Sequence, residues 1–177
     1  GTDIWRISVD TVGTPPAILA IDTFDLIFTT AGSGLPYGSC QGELGFTQGS
    51  ATGGTWYIVT DTLFSDGQLN LITHDGSGKL TVSKAGRYLV YYSISMYGGG
   101  TAAETLYSGI SVGGATPVDG LMKVETGTAA GTGRKCLSGS AVISLAASAY
   151  IEIAVKRSNT ETLFVEFANF TAAMVGG

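Results

Sequence analysis

The chain has 177 residues, 44% of them apolar, 10% aromatic and only 13% charged, with a formal net charge of −5. That apolar content supports a core and excludes disorder, while 27 glycines and nine Lys plus Arg argue against long helices. The charge density is about half that of an ordinary domain, which suits a chain that hides surface in an assembly, and an acidic balance lacks the basic footprint of a nucleic-acid binder.

Residues 1–36 differ in character from the remainder of the chain. They hold Pro15, Pro16 and Pro36, four acids (Asp3, Asp10, Asp22, Asp25) and the single base Arg6. A short strand is predicted over Ile4 to Val9, and Ala17, Leu19, Ile21, Phe24, Leu26 and Phe28 alternate in a second apolar segment. Two readings carry equal weight: ordinary early strands, or an N-terminal arm whose Leu19, Ile21, Phe24, Leu26 and Phe28 attach the chain to a neighbouring surface. Asp22 and Asp25 interrupt this stretch, so nothing in it is expected to span a membrane. Gly1 to Asp10 shows neither the basic nor the apolar region of a signal peptide.

From residue 37 to 177 the dominant period is two. Strands are predicted over Glu43 to Thr47, Thr55 to Val59, Lys79 to Val82 and Leu106 to Val112, with an unusually long one over Gly86 to Tyr97. Further strands are Ala141 to Leu145, Tyr150 to Val155 and Leu163 to Phe167. Turn clusters rich in Gly, Ser, Asn and Asp separate them, among them Gly49 to Gly54, Asp75 to Gly78 and Gly127 to Gly133. No window repeats apolar residues at helical spacing. The pattern predicts an all-β domain, an antiparallel sandwich or jelly roll.

The motifs that resemble catalytic ones lack their context. Gly109-Ile110-Ser111-Val112-Gly113 has the spacing of a nucleophile elbow, but it ends a strand and opens no helix. His74, the only histidine, is read as a loop residue beside a turn aspartate; with Asp66 and Asp75 it fits no zinc or EF-hand spacing. In Gly76-Ser77-Gly78-Lys79 the second glycine comes two positions after the first, where a phosphate loop places it five positions on, and the segment reads as a turn feeding a strand. Asn169-Phe170-Thr171 is formally a glycosylation acceptor but sits in an alternating terminal strand. Cys40 and Cys136 form no disulfide framework and are expected as free thiols. No catalytic, cofactor-binding or metal-binding residues are assigned, and the chain reads as non-enzymatic.

Two segments carry a family resemblance. Gly78-Lys79-Leu80-Thr81-Val82-Ser83-Lys84-Ala85-Gly86-Arg87-Tyr88-Leu89-Val90-Tyr91-Tyr92 is similar to the entry into the long central strand of the trimeric jelly-roll family of tumour necrosis factor and complement subcomponent q. Ser138-Gly139-Ser140-Ala141-Val142-Ile143-Ser144-Leu145, followed by Tyr150-Ile151-Glu152-Ile153, resembles that family's later hairpin, with Ser148-Ala149 replacing its usual Gly-Asp. Cys40-Gln41-Gly42-Glu43-Leu44 and Thr55-Trp56-Tyr57-Ile58-Val59-Thr60 resemble the members found in virions of tailed bacteriophages.

The resemblance implies a homotrimer of residues 37–177, with interface candidates Tyr88, Tyr92, Tyr97, Tyr107, Phe164 and Phe167. It further implies a structural role at the virion surface, as a capsid decoration, cement or head-spike protein whose partner is the major capsid protein or another virion protein. The alternative is the receptor-binding knob of a phage fibre, with a host-surface glycan or protein as its ligand.

Overall fold

A strand whose alternate residues are all large and apolar must bury one face, and Gly86–Gly98 organises the molecule in this way. The computed structural model describes residues 34–99, 103–117, 119–126 and 133–177. The expected strand at Ile4 to Val9 and the attachment candidates Leu19, Ile21, Phe24, Leu26 and Phe28 lie outside the described residues. Within them are eleven strands and no helix: β1 (Tyr37–Ala51), β2 (Trp56–Ile58), β3 (Ser65–Asn70), β4 (Ile72–His74), β5 (Leu80–Val82), β6 (Gly86–Gly98), β7 (Glu104–Val112), β8 (Asp119–Thr126), β9 (Lys135–Leu145), β10 (Tyr150–Arg157) and β11 (Glu161–Gly176). One sheet runs β3-β1-β11-β6-β9 and the other β4-β5-β10-β7-β8, with β2 also paired to β10. Every pairing is antiparallel.

The core lies between the two sheets. Strand β6 contributes Tyr88, Val90, Tyr92, Ile94 and Met96, all buried. From β11 come Leu163, Val165, Phe170 and Ala172, and β10 in the facing sheet supplies Ile151, Ile153 and Val155. Tyr88 and Tyr92 were expected at a subunit interface, and the structure corrects this: both residues are 0% exposed and fill the sandwich. The Tyr92 hydroxyl donates to the Gly120 carbonyl at 2.7 Å and lies 2.8 Å from the Ser108 hydroxyl. It thus bridges β6 to β7 and β8 across the interior, and burial raises its phenol, against the Ser108 hydrogen bond. Gly139 permits this approach, because a Cβ there would stand 2.5 Å from the Gly120 carbonyl oxygen and 2.6 Å from the Tyr92 ring.

The two ends of β10 are tied by polar groups. At its C-terminal end Arg157 is fully buried, 2.5 Å from Glu104 of β7 and 3.1 Å from Glu161 of β11, and it donates to Asn159 and to the Thr162 carbonyl. Beyond its N-terminal end, past β5, lies His74, and here the sequence expectation also changes. His74 belongs to β4, and its side chain is buried. Its Nε2 accepts from the Gly78 N–H at 2.9 Å, so the proton sits on Nδ1, which donates to Asp66 of β3 at 2.5 Å. The ring therefore clips the edge strand of one sheet to the edge strand of the other. The adjoining turn has Gly76 and Gly78 at φ +80° and +103°, where a side chain would be strained. Asp75 closes it by accepting from the Ser77 and Lys79 N–H groups, with the Lys79 ammonium at 3.2 Å.

Three strands were not expected, β3, β4 and β8. Each lies at a sheet edge, where burial leaves little alternation: the first four residues of β3 are exposed, β4 has three residues, and Leu121 and Met122 of β8 are both exposed. Strands β1, β9 and β11 extend well beyond the predicted Glu43 to Thr47, Ala141 to Leu145 and Leu163 to Phe167. Cys40 points into the core from β1, whereas Cys136 is exposed on β9. With β11 and β6 between their strands, they stand at least roughly 14 Å apart at ~4.8 Å per strand, beyond the reach of a disulfide.

Replacing Tyr92 with Phe leaves the Ser108 hydroxyl and the Gly120 carbonyl without their partner, so Tyr92→Phe is expected to destabilise the fold by about 1–3 kcal/mol in chemical denaturation. An unchanged midpoint would show the bridge to be dispensable. A second outcome concerns Asp75. Partial burial raises its carboxyl, but the hydrogen bonds from Ser77 and Lys79 outweigh this and bring it to about 2. The folded value lies below the ordinary ~3.9, so the stabilisation is complete above about pH 4 and lost as pH falls toward 2. The stability difference between wild type and Asp75→Asn should therefore shrink over that interval, and a constant difference from pH 6 to pH 2 would contradict it.

Candidate functional site

The outward residues of the five-stranded sheet form lateral rows, because the register of four neighbouring strands is fixed. One row is Tyr37, Ala173, Leu89 and Val142, and the next is Ser39, Thr171, Tyr91 and Ser140. Then come a polar row of Gln41, Asn169, Ser93 and Ser138 and one of Glu43, Phe167, Ser95 and Cys136. Thr47, Phe164 and Tyr97 complete the face. A bulge between Val165 and Phe167 keeps Phe164 and Phe167 on the same side of β11. Of the ten large apolar side chains exposed among the described residues, five stand in these rows: Tyr37, Leu89, Tyr91, Val142 and Phe167.

The face is thus apolar toward both ends and polar across its middle. Around the middle is a shallow depression of about 600 Å³, lined by Gln41, Glu43, Ser93, Cys136, Phe167 and Asn169, among others. At one end Tyr97 and Phe164 stack with ring centroids 4.6 Å apart and planes 11° from parallel. The Arg134 guanidinium lies 5.6 Å from the Tyr97 ring centre and grips Glu166 with two nitrogens, Nη2 at 2.8 Å. That hydrogen bonding holds the Glu166 carboxyl below its ordinary range and raises Arg134. Among the described residues of the face, formal charge stands at Arg87, at Glu43 beside the polar row and at the Arg134–Glu166 pair.

The six sequence candidates for an interface therefore separate. Tyr97, Phe164 and Phe167 share this outward face. Tyr88 and Tyr92 lie beneath it in the core. Tyr107 is on β7 of the other sheet, so it cannot join the same planar contact. Tyr91, an aromatic residue of the same long strand that the sequence also offers for this role, stands on the outward face as well, whereas sequence reading passes over Leu89 and Val142, although the signal is present: Leu89 shares the alternate positions of β6 with Tyr91.

Tyr107 belongs to a second arrangement, on the outer face of the six-stranded sheet. Trp56, Lys156, Tyr107 and Lys123 are register neighbours across β2, β10, β7 and β8. The Lys156 ammonium lies 4.8 Å from the Trp56 ring centre and 4.4 Å from that of Tyr107, a cation held between two rings.

The catalytic resemblances dissolve in three dimensions. Ser111 is buried and donates to the Ala115 carbonyl at 2.8 Å. Gly76 to Lys79 form the turn that leads into β5. Among the described residues there is no group of three His, Cys, Asp or Glu side chains able to hold a metal.

No family model matches the sequence, and no curated protein matches it significantly. Solved structures do match. Murine APRIL at pH 5.0 is 10% identical, covering 78% of this chain and 99% of that one with a TM-score of 0.52, and at pH 8.0 it is 11% identical over the same shares with a TM-score of 0.51. The globular domain of a zebrafish complement 1qA protein is 13% identical over 80% of this chain and 98% of that one, with a TM-score of 0.42. At such identities the APRIL likeness is one of fold. Two antiparallel sheets in this order give the chain the jelly-roll fold of the tumour necrosis factor-like proteins.

Proposed function

We propose that the chain is a non-enzymatic structural protein that assembles as a homotrimer through the outward face of its five-stranded sheet and decorates a viral capsid. The observation that carries the assembly is that face itself, apolar at both ends and crossed at its middle by a row free of formal charge. Protein interfaces are depleted in charge at their core and enriched in aromatic residues relative to the rest of the surface. The sparse charge of the whole chain and the trimeric family that the sequence resembles support the same reading. The virion role rests on the resemblance of Cys40 to Leu44 and Thr55 to Thr60 to phage virion proteins, with residues 1–36 as the attachment element.

A second reading is favoured by one observation. The row of Trp56, Lys156, Tyr107 and Lys123 faces away from the five-stranded sheet, so it stays open when that sheet is covered. Aromatic rings and ammonium groups on an open face suit a receptor-binding knob that meets a host-surface glycan or protein.

Phe167 is 51% exposed and Tyr91 45%, so a charge at either is compatible with a folded protomer. Light scattering at micromolar concentration should report a trimer for the wild type and a monomer for Phe167→Asp and Tyr91→Asp, because each carboxylate would be buried without a partner. A monomeric wild type would sink the assembly reading. Attachment is tested with virions of the virus that encodes the chain. Residues 35–177 pack as a unit of their own, and a chain that starts at Leu35 keeps the Pro36 carbonyl that accepts from the Met174 N–H. The full chain should sediment with heads while the shortened trimer stays in the supernatant. Full occupancy by the shortened trimer would remove the attachment role from the N-terminal segment, and location at a tail tip would favour the knob.

A further inference from the structure

Resting on the trimer reading, we infer that the polar row Gln41–Asn169–Ser93–Ser138 fixes how the copies align along the strands. The two apolar ends of the face are chemically alike: Leu89, Tyr91 and Val142 at one, Tyr97, Phe164 and Phe167 at the other. A copy slid along the strand direction, or turned end for end, would still bury apolar surface against apolar surface. Apolar contact is non-directional and scales with area, so by itself it discriminates weakly among such arrangements.

The row removes that degeneracy. Its four members are successive register partners across β1, β11, β6 and β9, so they form one continuous line between the two apolar ends. None of the four side chains hydrogen-bonds to another described residue, which leaves their donors and acceptors able to meet the same row of a neighbour. In the aligned arrangement amide and hydroxyl groups face one another. In a slipped one the Asn169 and Gln41 amides lie against Leu, Val or Phe, and a buried amide without a partner is costly. The row carries no formal charge, so copies converge on it without like-charge repulsion. A single buried asparagine sets register and copy number in coiled coils at some cost in stability, and the row acts by the same physics on a sheet.

Native mass spectrometry of the full chain, wild type against Asn169→Leu and Gln41→Leu, tests this. Both residues are exposed in the protomer, and thermal unfolding checks that the variants fold. The wild type is expected as trimer alone, and each leucine variant as a mixture of oligomers at the same concentration. Asn169→Asp should be monomeric at pH 8, where three carboxylates would converge. A single trimer population for both leucine variants, with unchanged dissociation on dilution, overturns the inference while leaving the trimer reading intact. An Asn169→Asp protein that remains trimeric at pH 8 also overturns it, since the row then lies away from the contact. A monomeric wild type removes the trimer and the inference together.

Discussion

Strand β6 buries one face completely and carries large apolar residues on part of the other, and the rest of the molecule accommodates that fact. Thirteen residues long, it sends Tyr88, Val90, Tyr92, Ile94 and Met96 inward and Leu89, Tyr91 and Tyr97 outward. The inward set requires a second sheet, which β10 and β7 supply with Ile151, Ile153, Val155, Leu106 and Ile110. The outward set has no such cover among the described residues of the protomer. An antiparallel sheet with one solvated face ordinarily alternates apolar with polar residues, and β6 departs from that at Leu89 and Tyr91, which are exposed on its solvent side.

The polar groups of the interior are placed where they restrict geometry. Tyr92 reaches through the core to Ser108 and Gly120, Arg157 gathers Glu104 and Glu161 at one end of β10, and His74 joins β3 to β4 beyond the other. A buried charge such as Arg157 adds little net stability when paired but is expensive to strand, so these contacts select one packing of the sheets over others of similar apolar area. They engage the single histidine and the Arg157–Glu104 pair in holding the two sheets together.

The all-β class and the central strands were legible because alternation is strongest where burial is one-sided and the strand is long. The edge strands β3, β4 and β8 were not, since β4 has three residues and β3 and β8 carry no periodic signal, whereas β9, also at an edge, alternates clearly over Ala141 to Leu145. The interface residues show a subtler limit. Period two divides β6 into two sets, with Tyr88, Val90 and Tyr92 on one side and Leu89 and Tyr91 on the other, yet both sets are apolar. Which set faces the core is then decided by the opposite sheet, and a one-residue change of parity exchanges the two faces entirely. Assigning Tyr88 and Tyr92 to the interface fails at that step, while Tyr97, Phe164 and Phe167 do lie on the outward side.

The same fold carries unrelated functions, so the jelly roll by itself assigns none; what distinguishes this chain is the distribution of polarity over its two outer faces. The face of the five-stranded sheet concentrates exposed apolar area around an uncharged polar row, the feature on which the proposed self-assembly rests. The face of the six-stranded sheet presents Trp56 and Tyr107 around Lys156, a cluster that stays accessible when the first face is covered. In the trimer proposed above, one sheet would build the assembly while the other meets the surroundings. This division is set by the strand order, because β6 and β11 lie inside one sheet and β10 and β7 inside the other. A change that improves contact on one outer face leaves the other untouched, provided the core between them keeps its packing.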